Sequence, residues 1–380
     1  MSTAISSNPQ ESTGQKQNKS FRSRIRSFYE RYEKYAGITY FGVGFVWDSF
    51  TMTRVDSVID NVILLFYLVI IGVMIVLTLR RQCGIVQARW IQKIEHRFLW
   101  AMQFCFGGLF SSYVIFYFKS ASFSRTQFFF LILVLLWIGN EFLKRRLKNP
   151  VLLAVLYCFC LFSFLAFFLP VVTARVNVWM FRLAGFISLC VSLAVFSFGL
   201  RGGHGEWRRR MMLPAAGIFF TFLAVNVLYF ANLIPPVPLA LKFCGIYHHV
   251  THTSAGYVVK YVPPSWYRFW RKGDDPFYFS HGESVYCFTA VFAPGGVRVP
   301  VYHVWSHKTS RGWVRPDRIG FPISGGRNRG YRGYTVKSGI SPGEWRVEVQ
   351  TETGQTLGRL DFTVLPSPVP HPQLVTTVIQ

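Results

Sequence analysis

Charge is what this sequence has least of. Only 15% of its 380 residues are Asp, Glu, Lys or Arg, where a water-soluble domain carries about 25%. Acids are scarcest, 17 against 41 Lys and Arg, for a net charge of +24. No C-x-x-C pair occurs among the seven cysteines at 83, 105, 158, 160, 190, 244 and 287. That removes zinc-ribbon and thioredoxin-type readings. No zincin motif, no paired catalytic carboxylates and no internal repeat are found, so no cofactor, metal or catalytic residue is expected. The first residues lack the charged-then-apolar order of a cleaved signal peptide, so insertion into a membrane would rest on internal spans.

What is abundant is apolar mass. Hydrophobic residues make up 51% of the chain, with 38 Phe. They gather in runs at about 62–79, 98–118, 127–143, 150–170, 180–200 and 212–234, each near the ~20 residues that cross ~30 Å of hydrocarbon. A weaker stretch, 37–53, contains Gly37, Gly42, Gly44 and Asp48, and hydropathy alone leaves open whether it spans. The expected class is a membrane all-α helical bundle of six or seven transmembrane helices. So strong a positive charge could serve nucleic acid. The cations sit between apolar runs, however, which is what orientation in a membrane requires, and no nucleic-acid partner is expected.

The connectors set the expected orientation. Lys and Arg number seven in 16–34, five in 80–97, four in 144–148 and four in 201–210. The other connectors hold one at Arg54, two in 119–125 and two in 175–182. If 37–53 crosses, twenty cations fall on one side and five on the other. The positive-inside rule then predicts a multi-pass inner-membrane protein with its N-terminus cytoplasmic and its C-terminal region outside. A re-entrant 37–53 with six true spans is the rival.

The expected organisation is a disordered tail (1–20), an amphipathic interfacial helix (21–36), a transmembrane domain (37–238), a linker (239–262), an all-β domain (263–365) and a Pro-rich mobile tail (366–380). In 21–36, Phe21, Ile25, Phe28, Tyr29, Tyr32 and Tyr35 recur at helical spacing against Arg22, Arg24, Arg26, Arg31 and Lys34. Ile234-Pro235-Pro236-Val237-Pro238 must stop the last span, because proline lacks an amide donor and disfavours helix before it. Beyond it the period becomes two. Val285, Cys287, Thr289 and Val291 alternate with Tyr286, Phe288, Ala290 and Phe292. Val299–Trp305, Trp345–Val349 and Leu360–Val364 alternate likewise, with turn signals at Pro294-Gly295-Gly296, Gly325-Gly326, Pro342-Gly343 and Thr353-Gly354. Short alternating strands with regular turns predict an all-β immunoglobulin-like sandwich.

Tyr302-His303-Val304-Trp305, Gly333 to Ser338, Pro342 to Val349, Gly354, Leu357 and Phe362-Thr363-Val364 resemble a bacterial domain of unknown function, the one numbered twenty-nine fourteen. The resemblance covers roughly 260–365. Trp47-Asp48-Ser49, Asp56-Ser57, Asp60-Asn61 and Ile234 to Leu239 are similar to the membrane part of such proteins. The resemblance implies a bacterial envelope protein and transfers no activity.

Two clusters are candidate sites. Asp48, Arg54, Asp56 and Asp60 are a polar group at one membrane face, either a carboxylate site for a cation or headgroup or simply an ion pair with a helix cap. Arg315, Arg318, Arg327, Arg329, Arg332 and Lys337, interleaved with Tyr331 and Tyr334, are a candidate surface for an anionic lipid, a glycan or an acidic envelope protein; a solvated loop is the alternative. Within the spans, Glu141, Arg182 and Asn226 are few enough for ion pairing and helix–helix bonding to explain them. Glu141 and Asn226, with the Asp48–Asp60 cluster, also leave open a small-solute or lipid transporter or channel. His248, His249 and His252 are expected to be exposed linker residues. His303, alternating with Val301 and Trp305, points inward. Cys244 and Cys287 could pair in an oxidising compartment.

Overall fold

The computed structural model describes residues 55–85, 89–120, 127–143, 146–202, 207–263, 273–280, 282–367 and 373–379. The expected tail 1–20, the amphipathic helix 21–36 and the segment 37–53 lie outside them. The described residues fall within one compact unit.

Six helices come first: α1 (Val58–Gln82), α2 (Arg89–Ser120), α3 (Gln127–Leu143), α4 (Pro150–Thr173), α5 (Val178–Leu200) and α6 (Trp207–Phe230). They match the six strong apolar runs. Five contain a stretch long and apolar enough to cross a membrane, and α3 is shorter, at 17 residues, roughly 26 Å at 1.5 Å per residue. Large apolar side chains such as Phe66, Phe186, Phe219, Phe220 and Leu223 stand exposed on the helices. Water solvates so much apolar surface poorly, and lipid is its natural solvent.

The helix starts are written locally. Ser57, Asn149 and Asn177 cap α1, α4 and α5: their side-chain oxygens accept the amides of Asp60, of Val151 and Leu152, and of Met180. Pro150 follows its cap at the first helical position, where its missing amide costs nothing. α4 is buried on almost every side, from Leu153 to Phe167, and is the central helix. Glycines let its neighbours approach. A Cβ on Gly199 of α5 would lie 2.9 Å from Leu79 Cδ1 and 3.4 Å from the Val76 backbone in α1, the close contact that small residues permit.

The C-terminal region is all β. A five-stranded sheet runs in the order β4-β10-β9-β6-β7, from β4 (Phe277–Phe279), β10 (Thr356–Pro366), β9 (Gly343–Thr351), β6 (Arg298–Thr309) and β7 (Gly312–Ser324). Only the β4–β10 pair is parallel. A three-stranded sheet runs β1-β5-β8, from β1 (Ala240–Tyr247), β5 (Val285–Phe292) and β8 (Tyr331–Lys337). These two sheets face each other across Ile246, Val285, Cys287, Trp305, Trp345, Val347, Phe362 and Val364. A third sheet, β11-β3-β2, from β11 (Val375–Ile379), β3 (Gly256–Tyr261) and β2 (His249–Thr253), covers the other side of the three-stranded sheet around Tyr247, Val250, Val259 and Phe288.

The four alternating segments are all strands, in β5, β6, β9 and β10. Two stretches differ from expectation. Residues 239–262, read as a linker, hold β1, β2 and β3, and the Pro-rich tail contributes β11, which pairs with β3. The physical reason is coverage: β5 is buried on both faces, and residues from both stretches cover one of them.

The sheets rest on the bundle. Ala174 and Val176, in the α4–α5 turn, pack against a β cluster of Leu239, Val291, Ala293, Val297, Val301 and Leu357. Tyr229, near the end of α6, and Gln355 of the β region line one small pocket. Ile234, Pro235, Pro236 and Leu239 are buried, so the proline run is a packed corner between the two parts.

Candidate functional site

The membrane-face cluster comes first. Asp48 and Arg54 lie outside the described residues. Asp56 is in the turn before α1 and Asp60 is in its first turn, where the helix dipole favours a carboxylate. The cap is Ser57. The Asn61 amide donates to the carbonyls of Val55 and Ser57 at 3.0 and 2.8 Å. Polar groups deeper in the bundle are spent on backbone. Asn140 of α3 donates to the Gln103 carbonyl of α2 at 3.0 Å, and the Gln103 amide returns a bond to the Asn140 carbonyl at 3.2 Å. Tyr113 of α2 donates to the Cys160 carbonyl of α4 at 2.7 Å. Asn226, expected to bond a neighbouring helix, donates to the Phe222 carbonyl of its own helix instead. Arg182 lies over the rings of Trp179 and Phe230.

The basic run is divided between two sheets. Arg315 and Arg318 lie on β7 in the five-stranded sheet and have local partners. Arg315 pairs with Glu348 at 3.4 Å. Arg318 donates to the carbonyls of Thr351 and Glu352 and lies 3.7 Å over the Tyr302 ring. Lys337 ends β8 and pairs with Asp317 at 2.7 Å. These three belong to the outer dressing of the sheets, beside the Arg346–Asp361 and Lys308–Glu344 pairs. Arg329 lies in the turn before β8.

The remaining members meet residues the basic run did not include. Arg327 lies 5.1 Å over the Tyr331 ring. Tyr257 of β3 donates its hydroxyl to the Arg332 carbonyl at 3.1 Å. The rings of Tyr257 and Tyr286 stand 6.4 and 6.0 Å from Tyr334. His252 flanks Tyr257 at 4.7 Å, and His249 flanks Tyr286 at 5.2 Å. Tyr257, Tyr286, Tyr331, Arg332 and Tyr334 are all half-buried. The product is an aromatic face of Tyr257, Tyr286 and Tyr334 around Phe288, flanked by His249 and His252. Arg332 has the same strand parity as Tyr334, whereas Tyr331, with Arg327 over it, packs on the other side of β8 against the cluster around Val291. Burial is the largest influence on Tyr257 and raises its pKa; Arg327 and Arg332 oppose it by favouring the phenolate. Tyr257 is absent from the sequence reading because β3 falls in the supposed linker; His249 and His252 are read there only as exposed linker residues, and Tyr286 only as one position of an alternating strand. The alternation of Tyr257, Val259 and Tyr261 is the signal that could have found β3.

Two buried polar arrangements lie inside the β region. His303 of β6 is fully buried and points inward, as its alternation predicts. It bridges Thr289 of β5 through Nε2 at 2.9 Å and Thr335 of β8 through Nδ1 at 2.8 Å. Burial pushes its pKa down to about 3, so it joins the sheets as a neutral ring. His248, at the β1–β2 corner, has its side chain only 5% exposed, contrary to the expected exposure, whereas His249 and His252 are exposed. His248 stacks on Phe277 with centroids 4.2 Å apart. Its Nε2 faces Asp274 Oδ2 at 3.8 Å, too long for a hydrogen bond. Burial raises Asp274 to about 8 and lowers His248. Desolvation therefore outweighs their attraction, and the pair is better described as neutral than as a salt bridge. Cys244 and Cys287 are free thiols with sulfurs 4.0 Å apart.

No curated protein matches this chain in sequence. Among solved structures, the Pseudomonas fluorescens alkylpurine DNA glycosylase AlkC bound to DNA containing an abasic site analog is 10% identical. It covers 82% of this chain and 99% of its own, with a TM-score of 0.17, too low for any inference about fold or function. The C-terminal likeness is the informative one: residues 299–364, from β6 into β10, match the family described as protein of unknown function (DUF2914), so the chain carries a C-terminal region of that family.

Proposed function

We propose that this is a multi-pass bacterial inner-membrane protein whose β domain stands outside the cytoplasm and binds an acidic envelope glycan. The two larger sheets are read as an immunoglobulin-like sandwich, and the helical bundle is its anchor. Connector charge supports the orientation. The α3–α4 connector carries four cations and the α5–α6 connector together with the first turn of α6 another four, while the α4–α5 turn beneath the β domain carries Arg175.

The observation that carries the ligand class is the aromatic face. Half-exposed tyrosines offer flat apolar surface to the carbon face of a sugar ring. Arg332 beside them supplies donors for carboxylate or phosphate groups. No described span contributes a comparable cluster of convergent side chains, so the bundle is given the anchoring role rather than transport.

The test uses the full chain in detergent, with alginate as an acidic polymer and dextran as a neutral one. Retention on alginate is expected, and Tyr334→Ala combined with Arg332→Gln should weaken it about tenfold, as removal of one stacking and one charged interaction with the polymer would. Equal retention on dextran, or no effect of the substitutions, contradicts the glycan reading.

A further inference from the structure

The end of the bundle opposite the sheets holds a cleft of about 880 Å³. Its rim is basic: Arg146 and Lys148 come from the turn before α4, and Arg210 from the first turn of α6. Its wall is apolar, formed by residues including Leu152, Leu213 and Pro214. Two contacts with the end of α1 hold these elements together. Gln82 donates to the Lys148 carbonyl at 2.9 Å, and Arg210 reaches the Cys83 sulfur at 3.4 Å. The amides of Val151 and Leu152 at the start of α4 are already taken by Asn149. Any anion here would therefore be held by the three cations, not by the helix terminus. No carboxylate is among the described lining residues. Leu213, 65% exposed, lies one turn from Arg210, so charge and hydrocarbon surface change places within a few ångströms.

We propose that this cleft is a binding site for an anionic diacyl phospholipid. The phosphate sits among Arg146, Lys148 and Arg210, and the first acyl carbons lie against Leu152, Leu213 and Pro214. Basic pockets between membrane helices take anionic headgroups in this way. Free phosphate would satisfy the rim and leave the wall unused, which favours lipid. The inference rests on the bilayer placement of the bundle and is independent of the glycan reading.

The full chain is reconstituted in vesicles of phosphatidylcholine with a minor share of phosphatidylglycerol, then extracted, and lipid retention is read by native mass spectrometry. Preferential retention of phosphatidylglycerol is expected, undisturbed by excess inorganic phosphate. Arg146→Gln, at an exposed side chain, should weaken it roughly fivefold. The triple change Arg146→Gln, Lys148→Gln and Arg210→Gln should weaken it on the order of a hundredfold. Arg201→Gln, Arg208→Gln and Arg209→Gln remove equal charge from exposed positions on the same face that do not line the cleft, and should leave most retention. Equal loss in both triple variants, equal retention of phosphatidylcholine, or displacement by phosphate overturns the site. A chain that fails to enter phosphatidylcholine vesicles at all would overturn the bilayer placement as well.

Discussion

At the scale of single residues, the β region stakes its stability on buried neutral groups. His303 joins two sheets through Thr289 and Thr335. His303→Ala would leave two buried hydroxyls without the ring and open a cavity, so a loss of about 2–4 kcal/mol is expected, read by thermal unfolding of the full chain in detergent. Because its folded pKa is about 3, below the 6.5 of the unfolded state, its contribution is present above pH 6.5. It is lost as pH falls toward 3. Asp274 has the opposite sign. Its pKa rises from 3.8 to about 8, so its contribution is full below pH 3.8 and is lost as pH climbs through 8. Asp274→Asn, which keeps an oxygen to accept the Val262 amide, should flatten the fall in melting temperature between pH 4 and 8. An unchanged slope would show that the carboxyl is not buried as described.

At the scale of elements, much was legible because lipid and strand pairing both write simple periods. The six apolar runs are the six helices, and their caps at Ser57, Asn149 and Asn177 stand where polar residues precede those runs. Strands with clear alternation, such as Arg298–Thr309, were visible for the same reason. β1 through β3 were not, because a proline run and a histidine pair suggested a linker, and only pairing with β5 and β11 makes them strands. The basic run misled for a related reason. Residues adjacent in sequence, Arg315 to Lys337, alternate faces and cross between sheets, so Arg318 and Lys337 find partners that sequence cannot show. Close helix approach gives a direct test. Gly199→Leu places a branched side chain against Leu79 and the Val76 backbone. Overpacking of that kind costs about 1–3 kcal/mol and should lower the detergent melting temperature, while Gly139→Leu, whose Cβ meets nothing within 4 Å, should not.

At the scale of the whole molecule, the β region is seated on the helices and not tethered to them. The proline corner is buried, Ala174 and Val176 enter a β cluster, and Tyr229 and Gln355 line one pocket. A double-mutant cycle of Tyr229→Ala and Gln355→Ala, neighbours across the seam, should give a coupling of about 0.5–1.5 kcal/mol, and none if the parts unfold independently. Seating also fixes sidedness: whichever way the bundle lies in the bilayer, the sheets lie beyond the end opposite Arg146, Lys148 and Arg210. The most direct test labels single added cysteines in intact cells with a membrane-impermeant maleimide, against the parent chain as background. Ser310→Cys, in the exposed β6–β7 turn, should react at once, and Arg208→Cys, at the start of α6, only after permeabilisation. Reaction at Arg208→Cys but not Ser310→Cys in intact cells would reverse the orientation, and reaction at both would contradict a bilayer between them.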